Sequence, residues 1–360
     1  MSTLFYPLTV RSVQPDTAEA AIVSFDVPDE LREQFAFTQG QYLTLRSEVD
    51  GQDLRRSYSI CAGVDDGQLR VGVRRVDGGA FSNWVHEQLK AGDQIQVMPP
   101  QGRFFIPVEP QAQHHYLAVA GGSGITPILS IIKTVLAREP GSRFTLLYGN
   151  RSLQSTMFKE ELDDLKNRYL TRLVLHHVFS REETEAPLNM GRMNQAKVAD
   201  LLKAVAPVAD LDAVFVCGPY QMNDEVEAAL LAAGVPAERI HIERFGVLPS
   251  AGGSAGAANP RSEQDAKTAQ ITLIRDGLTR SFPFKAAHGN LLQAAEAAGL
   301  EVPYSCTSGV CGTCRAKCTQ GEVRMERNFA LNAQEVAQGF VLTCQCHPVS
   351  ASVTLSFDER

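Results

Sequence analysis

The sequence predicts a multidomain protein: an antiparallel β-barrel, then a doubly wound α/β domain on a parallel sheet, then a small α+β domain. Three observations carry this reading. Residues 5–108 hold many short β-type runs separated by turn signals, strands and helices alternate from residue 115, and six of the eight cysteines crowd into residues 306–346. At 360 residues the chain has room for two or three domains, each able to bury a core.

The first domain, expected over 1–110, is built from LTVRSV, AAIVSFDV, QYLTLRS, RRSYSI, LRVGVRRV and DQIQVMPP, parted by DDG, DGG, AGD and PPQG. Runs this short with Gly- and Asp-rich turns between them suit an antiparallel barrel. Over 111–246, HYLAVA, FTLLYG, RLVLHHVFS and AVFVCGP read as buried strands, each followed by an amphipathic helix. That alternation argues for parallel strands joined by crossover helices. Residues 247–268 are rich in Gly, Ala and Ser without periodicity, and read as a flexible linker. Beyond it, over 269–360, a hairpin turning at Asp276-Gly277, a helix ended by Gly299, a cysteine loop, a short helix near 332–339 and a last strand ASVTLSF complete the third domain.

Composition excludes several classes. A net charge of -7 and a pI near 5.7 leave no basic excess to meet phosphates, so nucleic acid is not the expected partner. The N-terminus lacks a basic run followed by an apolar core, so no secretory signal is read there. The most apolar stretch, 116–137, is cut by three glycines, a proline and a lysine, which argues against a membrane span. A cytoplasmic protein is expected.

The spacing Cys306-x4-Cys311-x2-Cys314, with Cys344 after 29 further residues, is the plant-type [2Fe–2S] pattern. Two irons bridged by two sulfides each need two protein sulfurs, so four thiolates are required. Gly309 and Gly312 let backbone amides approach the sulfurs. Zinc would more naturally use two Cys-x2-Cys knuckles, and Cys344-x-Cys346 is spaced wrongly for one. A thiol-redox pair at Cys311 and Cys314 would want a βαβ setting that is missing here.

A cluster takes one electron at a time, so a group that splits a two-electron donor is expected, and the barrel carries a flavin signal. RRSYS puts Arg56, Tyr58 and Ser59 at a strand end: arginine for a pyrophosphate, tyrosine for the isoalloxazine face, a hydroxyl for N5. VRRVDGGAFS adds Arg74, the Gly78-Gly79 turn and Ser82 near a helix start. By itself Arg-x-Tyr-Ser also describes an ordinary exposed strand. The doubly wound domain that follows strengthens the flavin reading.

In that domain VAGGSGITP links the first strand to the first helix, and Gly122-x-Gly124 allows a tight turn with amides turned to a pyrophosphate. Pro127 replaces the third glycine of the usual fingerprint and suits a first helical turn. The second strand ends in Asn150-Arg151 instead of the acid that would hold an NAD ribose, and the third ends in Ser180-Arg181. A hydroxyl and guanidinium groups suit a 2′-phosphate, which favours NADPH; the alternative is a solvated loop with incidental charge. Cys217-Gly218-Pro219 lies at the crevice mouth, where the thiol either touches the nicotinamide or is a buried small residue. In HIERF, Glu243 is placed to hold the carboxamide and Phe245 to cover the flavin ring.

Taken together these motifs resemble the ferredoxin–NADP⁺ reductase superfamily with a fused C-terminal plant-type ferredoxin, over nearly the whole chain. RRSYSIC, GGAFSNW, AGGSGITPIL, LLYGNRS, VFVCGP, HIERF and GFVLTCQ are similar to the reductases of phenylacetyl-CoA epoxidases. The resemblance implies a β-grasp third domain and FAD contacts at Arg56, Tyr58, Ser59 and Ser82, beside which the VRRVDGGAFS stretch offers Arg74 and Gly79. It implies nicotinamide-cofactor contacts at Gly122, Gly124, Pro127, Cys217 and Glu243, with Tyr58, Ser59, Cys217 and Glu243 nearest the chemistry; Thr126, Asn150, Arg151, Ser180, Arg181 and Gly218 are read as cofactor contacts from their positions, and Phe245 as the flavin cover. Cys306, Cys311, Cys314 and Cys344 match the cluster ligands. It further implies electron flow from NADPH through FAD and [2Fe–2S] to a di-iron oxygenase in phenylacetate catabolism. Reductases of 3-ketosteroid 9α-hydroxylase share the module order and are the nearest rival, and a non-catalytic electron carrier or redox sensor is a rival of another class.

Overall fold

A computed structural model describes residues 4–245, 262 and 264–359, and most of the stretch expected as a linker lies outside them. Phe5–Phe245 pack as one compact unit, and the third domain forms another.

The barrel is made of β1 (Tyr6–Thr17), β2 (Ala20–Asp26), β3 (Tyr42–Val49), β4 (Gln52–Ser59), β5 (Leu69–Arg74), helix α1 (Ala80–Glu87) and β6 (Gln94–Gln101). The strands run antiparallel in the order β4-β3-β6-β1-β2-β5. An Ile60–Val71 bridge just past β4 ties the two edge strands together and closes the sheet. Leu8, Val10, Val23, Leu43, Leu45, Val71, Val73 and Val97 fill the interior without exposure. Each stabilises the fold by about 1.5–3 kcal/mol of apolar burial.

The parallel sheet takes β7 (His115–Gly121), β8 (Arg143–Asn150), β9 (Leu173–Phe179), β10 (Ala213–Gly218) and β11 (Ile240–Arg244) in the order β11-β10-β7-β8-β9. Helices α2 (Ile125–Arg138), α3 (Lys159–Arg168), α4 (Gln195–Val205) and α5 (Tyr220–Ala232) connect them. β7 is buried on both faces, as a helix-covered parallel strand must be: Tyr116, Ala118 and Ala120 join one core, Leu117 and Val119 the other. The strand order reverses beside β7, so the crevice between the ends of β7 and β10 is the place where such sheets bind ligands.

Helix α2 is locked to the barrel. Ser130 Oγ donates to the Ala62 carbonyl at 2.6 Å, and the Val64 amide donates to Thr134 Oγ1 at 3.2 Å. Lys133 pairs with Asp66 (2.6 Å) and Glu161 (2.5 Å), and Arg70 of β5 reaches the same Glu161 at 2.5 Å. Asp16 of β1 accepts the Phe158 amide ahead of α3.

The third domain comprises β12 (Thr268–Arg275), β13 (Leu278–Lys285), α6 (Leu291–Ala297), β14 (Arg315–Gln320), β15 (Val323–Met325), α7 (Ala333–Ala337), β16 (Phe340–Leu342), β17 (Cys346–Pro348) and β18 (Ser352–Ser356). Its main sheet runs β13-β12-β18-β14-β16, with only β12 and β18 parallel, and β15 pairs with β17. Positive φ at Asp276 (52°) and Gly277 (69°) makes the two-residue turn that Asp-Gly signals. The end of the expected linker is already structured: Asp265 accepts from Arg324 Nε (2.8 Å) and Nη2 (2.6 Å), and β12 starts at Thr268. Among the described residues no helix is long and apolar enough to cross a membrane.

Candidate functional site

A crevice of about 400 Å³ opens at the ends of the parallel strands. Its floor is the loop after β7, where Gly122 has φ +52° and the chain turns into α2. Gly124 serves a different need: a β-carbon there would collide with the Cys217 carbonyl oxygen of β10. The two glycines thus divide the work, one for the turn and one for close packing of helix on sheet. Pro127 stands in the first turn of α2, and the Thr126 hydroxyl donates to the Ser123 carbonyl at 3.0 Å, bracing the loop.

At the far side, the Ser180 amide donates to the Asn150 carbonyl and the Arg181 amide to the Arg151 carbonyl, both at 2.9 Å. This continues the β8–β9 pairing past the strand ends and sets Asn150, Arg151, Ser180 and Arg181 together on the crevice wall. Arg74, expected among the flavin contacts, also lines this crevice beside the dinucleotide loop. The reason is the β2–β5 pairing, which ends β5 opposite Ala20 and turns the guanidinium toward Gly122. Sequence reasoning missed Arg192, Gln221 and Met222, which complete the wall. The Met222 side chain packs on Gly121 and Gly218, where β-carbons would strike it.

Along the outer edge of the barrel, Arg56 is exposed and Tyr58 is half-buried, on one face of β4 because strand side chains alternate. Tyr58 lies 6.0 Å from the Phe81 ring, and burial raises its hydroxyl pKa. Ser59 is buried and donates to Glu243 Oε2 at 3.3 Å. Burial pushes the Glu243 carboxyl up to about 8, against the lowering effect of the Ser59 bond. Asn223 of α5 holds the Glu243 carbonyl at 3.1 Å. Phe245, just past β11, is 47% exposed.

Two further expected contact residues sit in internal settings. Ser82 Oγ accepts from the Val76 amide (3.1 Å) and donates to the Gly79 carbonyl (3.2 Å), so this hydroxyl closes the loop ahead of α1. Cys217 is fully buried, its thiol pKa raised well above the ordinary value by desolvation. Its setting is that of a small core residue.

The cysteine loop wraps through positive φ at Thr307 (54°), Gly309 (80°) and Gly312 (71°). The four thiols fall into two pairs, Cys306 with Cys311 and Cys314 with Cys344. Cys306 is pulled down to about 5, first by the hydrogen bond from Cys311 and further by backbone amides; the Ser308 and Cys311 amides lie 3.4 Å from its sulfur. Cys344 is also lowered, first by Cys314, and Gln345 Nε2 donates to its sulfur at 3.5 Å. No three His, Cys, Asp or Glu side chains among the described residues are grouped as a single-ion site would need. Two thiol pairs with donors turned to sulfur fit a cluster of two irons, each taking two thiolates.

A barrel joined to a doubly wound domain, with a four-thiol β-grasp domain after them, defines a flavin- and iron–sulfur-dependent oxidoreductase that takes its electrons from a nicotinamide cofactor. The chain matches oxidoreductase FAD-binding domains over residues 7–106, oxidoreductase NAD-binding domains over 118–228 and 2Fe-2S iron–sulfur cluster binding domains over 273–349. It is 41% identical to a component of the 1,2-phenylacetyl-CoA epoxidase of Escherichia coli over 359 residues, 99% of each chain. It is 34% identical to the ferredoxin reductase component of 3-ketosteroid-9-alpha-monooxygenase of Rhodococcus rhodochrous, over 97% of this chain and 96% of that one. The solved structure of phthalate dioxygenase reductase shares the fold over 98% of both chains, with a TM-score of 0.57 at 24% identity. The chain belongs to the family of oxygenase reductases that includes this phenylacetyl-CoA epoxidase component.

Proposed function

We propose that this chain takes electrons from NADPH and delivers them to the di-iron oxygenase of a phenylacetyl-CoA epoxidase, in the cytoplasm. The observation that carries the partner is the 41% identity with the epoxidase component across 99% of both chains, against 34% with the steroid monooxygenase component. The choice of NADPH is supported by Arg151 and Arg181, held side by side at the crevice wall where a ribose 2′-phosphate would lie.

Bound flavin supplies the conversion between two-electron hydride chemistry and single-electron transfer. The protein's part is positioning. Arg56 and Tyr58 would hold the flavin's phosphate and ring. Ser59 and Glu243, already hydrogen-bonded to one another, would meet the edge where the nicotinamide arrives. The glycine loop with Arg74 would take the dinucleotide's pyrophosphate. Hydride transfer needs no side-chain acid or base, so geometry and exclusion of water are what these residues contribute. Cys306, Cys311, Cys314 and Cys344 would hold the cluster.

The test is reconstitution. Mixed with a phenylacetyl-CoA epoxidase core, the holoprotein should support NADPH-dependent epoxide formation. Support of a steroid hydroxylase alone would remove the partner assignment while leaving the reductase. A flavin that stays oxidised under anaerobic NADPH, yet bleaches with dithionite, would instead favour a carrier without nicotinamide chemistry.

A further inference from the structure

The hairpin joining β1 to β2 brings an acidic side chain of the barrel to the arginines of the dinucleotide crevice. Its backbone is anchored: the Glu19 amide donates to Thr17 Oγ1 (3.2 Å), its carbonyl accepts from the Arg75 amide (2.7 Å), and Ala20 pairs with Arg74 in the sheet. From this fixed point the carboxylate accepts from Arg74 Nη2 at 2.9 Å, and its other oxygen lies 3.9 Å from Arg151 Nη1. Arg181 acts on the same carboxylate through its charge. The other Arg74 nitrogen, Nη1, faces the glycine loop, 3.0 Å from where a β-carbon on Gly122 would stand. One carboxylate therefore sits among three arginines that run from the glycine loop to the ends of β8 and β9.

We infer that Glu19 is a specificity-determining residue, a tethered anion that competes with the cofactor's phosphates, the 2′-phosphate above all, for Arg74, Arg151 and Arg181. The inference deepens the reading of the crevice as the nicotinamide dinucleotide site. Glu19 and Arg151 are each about half exposed, and pairs of that kind hold weakly, so a phosphate can displace the carboxylate. Until it is displaced, the carboxylate neutralises part of the charge that would attract the phosphate. That loss weighs more on a 2′-phosphate, near two negative charges at neutral pH, than on a ligand without one. Glu19 thus narrows the gap between NADPH and NADH that the arginines alone would open.

The experiment is calorimetric titration of the flavin-loaded holoprotein with 2′,5′-ADP and with 5′-AMP, in wild type, Glu19→Gln and Glu48→Gln. Glu48 is an exposed acid on β3 and serves as the control for net charge. Glu19→Gln should bind 2′,5′-ADP about three- to tenfold more tightly and tighten 5′-AMP, whose phosphate also gains from Arg74, by a clearly smaller factor, with the gain shrinking as salt rises. Glu48→Gln should leave the ratio of the two affinities unchanged. An unchanged ratio in Glu19→Gln overturns the inference, as does an equal rise in Glu48→Gln. A fall in the ratio also overturns it and makes Glu19 a residue that orients the arginines for the phosphate. The wild-type preference between the two ligands separately tests the NADPH reading, since the inference concerns only how removal of Glu19 changes it.

Discussion

The Ser59 hydroxyl donates to Glu243 across 3.3 Å, joining the last residue of β4 on the barrel to β11 of the parallel sheet. Glu243 pairs in register with Cys217, and Asn223 clamps its carbonyl from α5. A carboxyl buried at this seam, with one neutral hydroxyl as its named partner, keeps its proton through neutral pH. It can then accept from Ser59 and still offer a donor to a carboxamide.

The raised carboxyl gives a signed pH dependence. Its value moves from an ordinary 4.5 to about 8 in the folded protein, so folding favours the protonated form. The stability it contributes is fully present below 4.5 and is lost as pH rises through about 8. Glu243→Gln cannot ionise, so its melting temperature should rise relative to wild type between pH 5 and 9. Flavin reduction by NADPH, followed by stopped flow, should slow in wild type above about pH 8 and lose that inflection in the variant. Parallel melting curves across this range would contradict the assignment.

Gly122 and Gly124 should fail differently when replaced by alanine. At Gly124 the new methyl meets the Cys217 carbonyl, and backbone cannot yield as a side chain does. Gly124→Ala should lose about 1–3 kcal/mol of stability in urea titration. At Gly122 the nearest obstacle is the mobile end of Arg74, 3.0 Å away, and φ is +52°. Gly122→Ala should lose about 1 kcal/mol, with its larger effect on 2′,5′-ADP affinity. Equal losses of stability would show that the two glycines do not have separate roles.

Much of this was legible in the residues. Short alternating runs in the barrel, continuous apolar runs in β7 and β10, and the turn residues between them are local signals, and local signals survive reading one residue at a time. The crevice was half legible. Gly122 and Gly124 announce themselves by type, but Glu19 and Arg192 do not, because their relevance depends on pairing and loop return between distant segments. The approach of Arg74 to Gly122 was hidden for the same reason: the strand was clear, but the side of the barrel its last residue faces was not. Ser82 fits a phosphate by type, but its bond from the Val76 amide was not readable from the residues. The cluster ligands were the most legible part, since one loop supplies three of them and their spacing is set by chain geometry.

Cofactor preference can be tested at the crevice wall. Arg151 and Arg181 are neighbours through a 2.9 Å backbone hydrogen bond, and both line the crevice. Replacing both with alanine should raise the KM for NADPH at least tenfold, the effect of about 1.4 kcal/mol, and leave that for NADH within about twofold. Because both are expected at the adenine end of the cofactor, kcat at saturation should hold. A double variant that keeps the wild-type preference would make these arginines bystanders.

The fourth cluster ligand can be decided between two cysteines two residues apart. Cys344 lies in a turn after β16, its sulfur paired with Cys314 and receiving the Gln345 side chain, which also donates to the Thr307 carbonyl of the cysteine loop at 2.9 Å. Cys346 begins β17, opposite Met325, and is fully buried in the domain's core. Strand alternation would put two such residues on one face, but the turn at 343–345 interrupts the strand between them. Burial raises the Cys346 thiol well above its ordinary value, whereas Cys344 is lowered by its partners. Of the two, only Cys344 has its sulfur hydrogen-bonded to a cysteine of the loop, Cys314. Cys344→Ser should abolish or strongly diminish the visible iron–sulfur absorbance and the EPR signal of the dithionite-reduced protein. Cys346→Ala should keep both, with two irons and two sulfides per chain, and lose about 1–2 kcal/mol of stability from the small cavity. In Cys344→Ser the flavin should still bleach with NADPH, because its site belongs to the other unit. Loss of the cluster in Cys346→Ala, with retention in Cys344→Ser, would move the fourth ligand two residues along the chain.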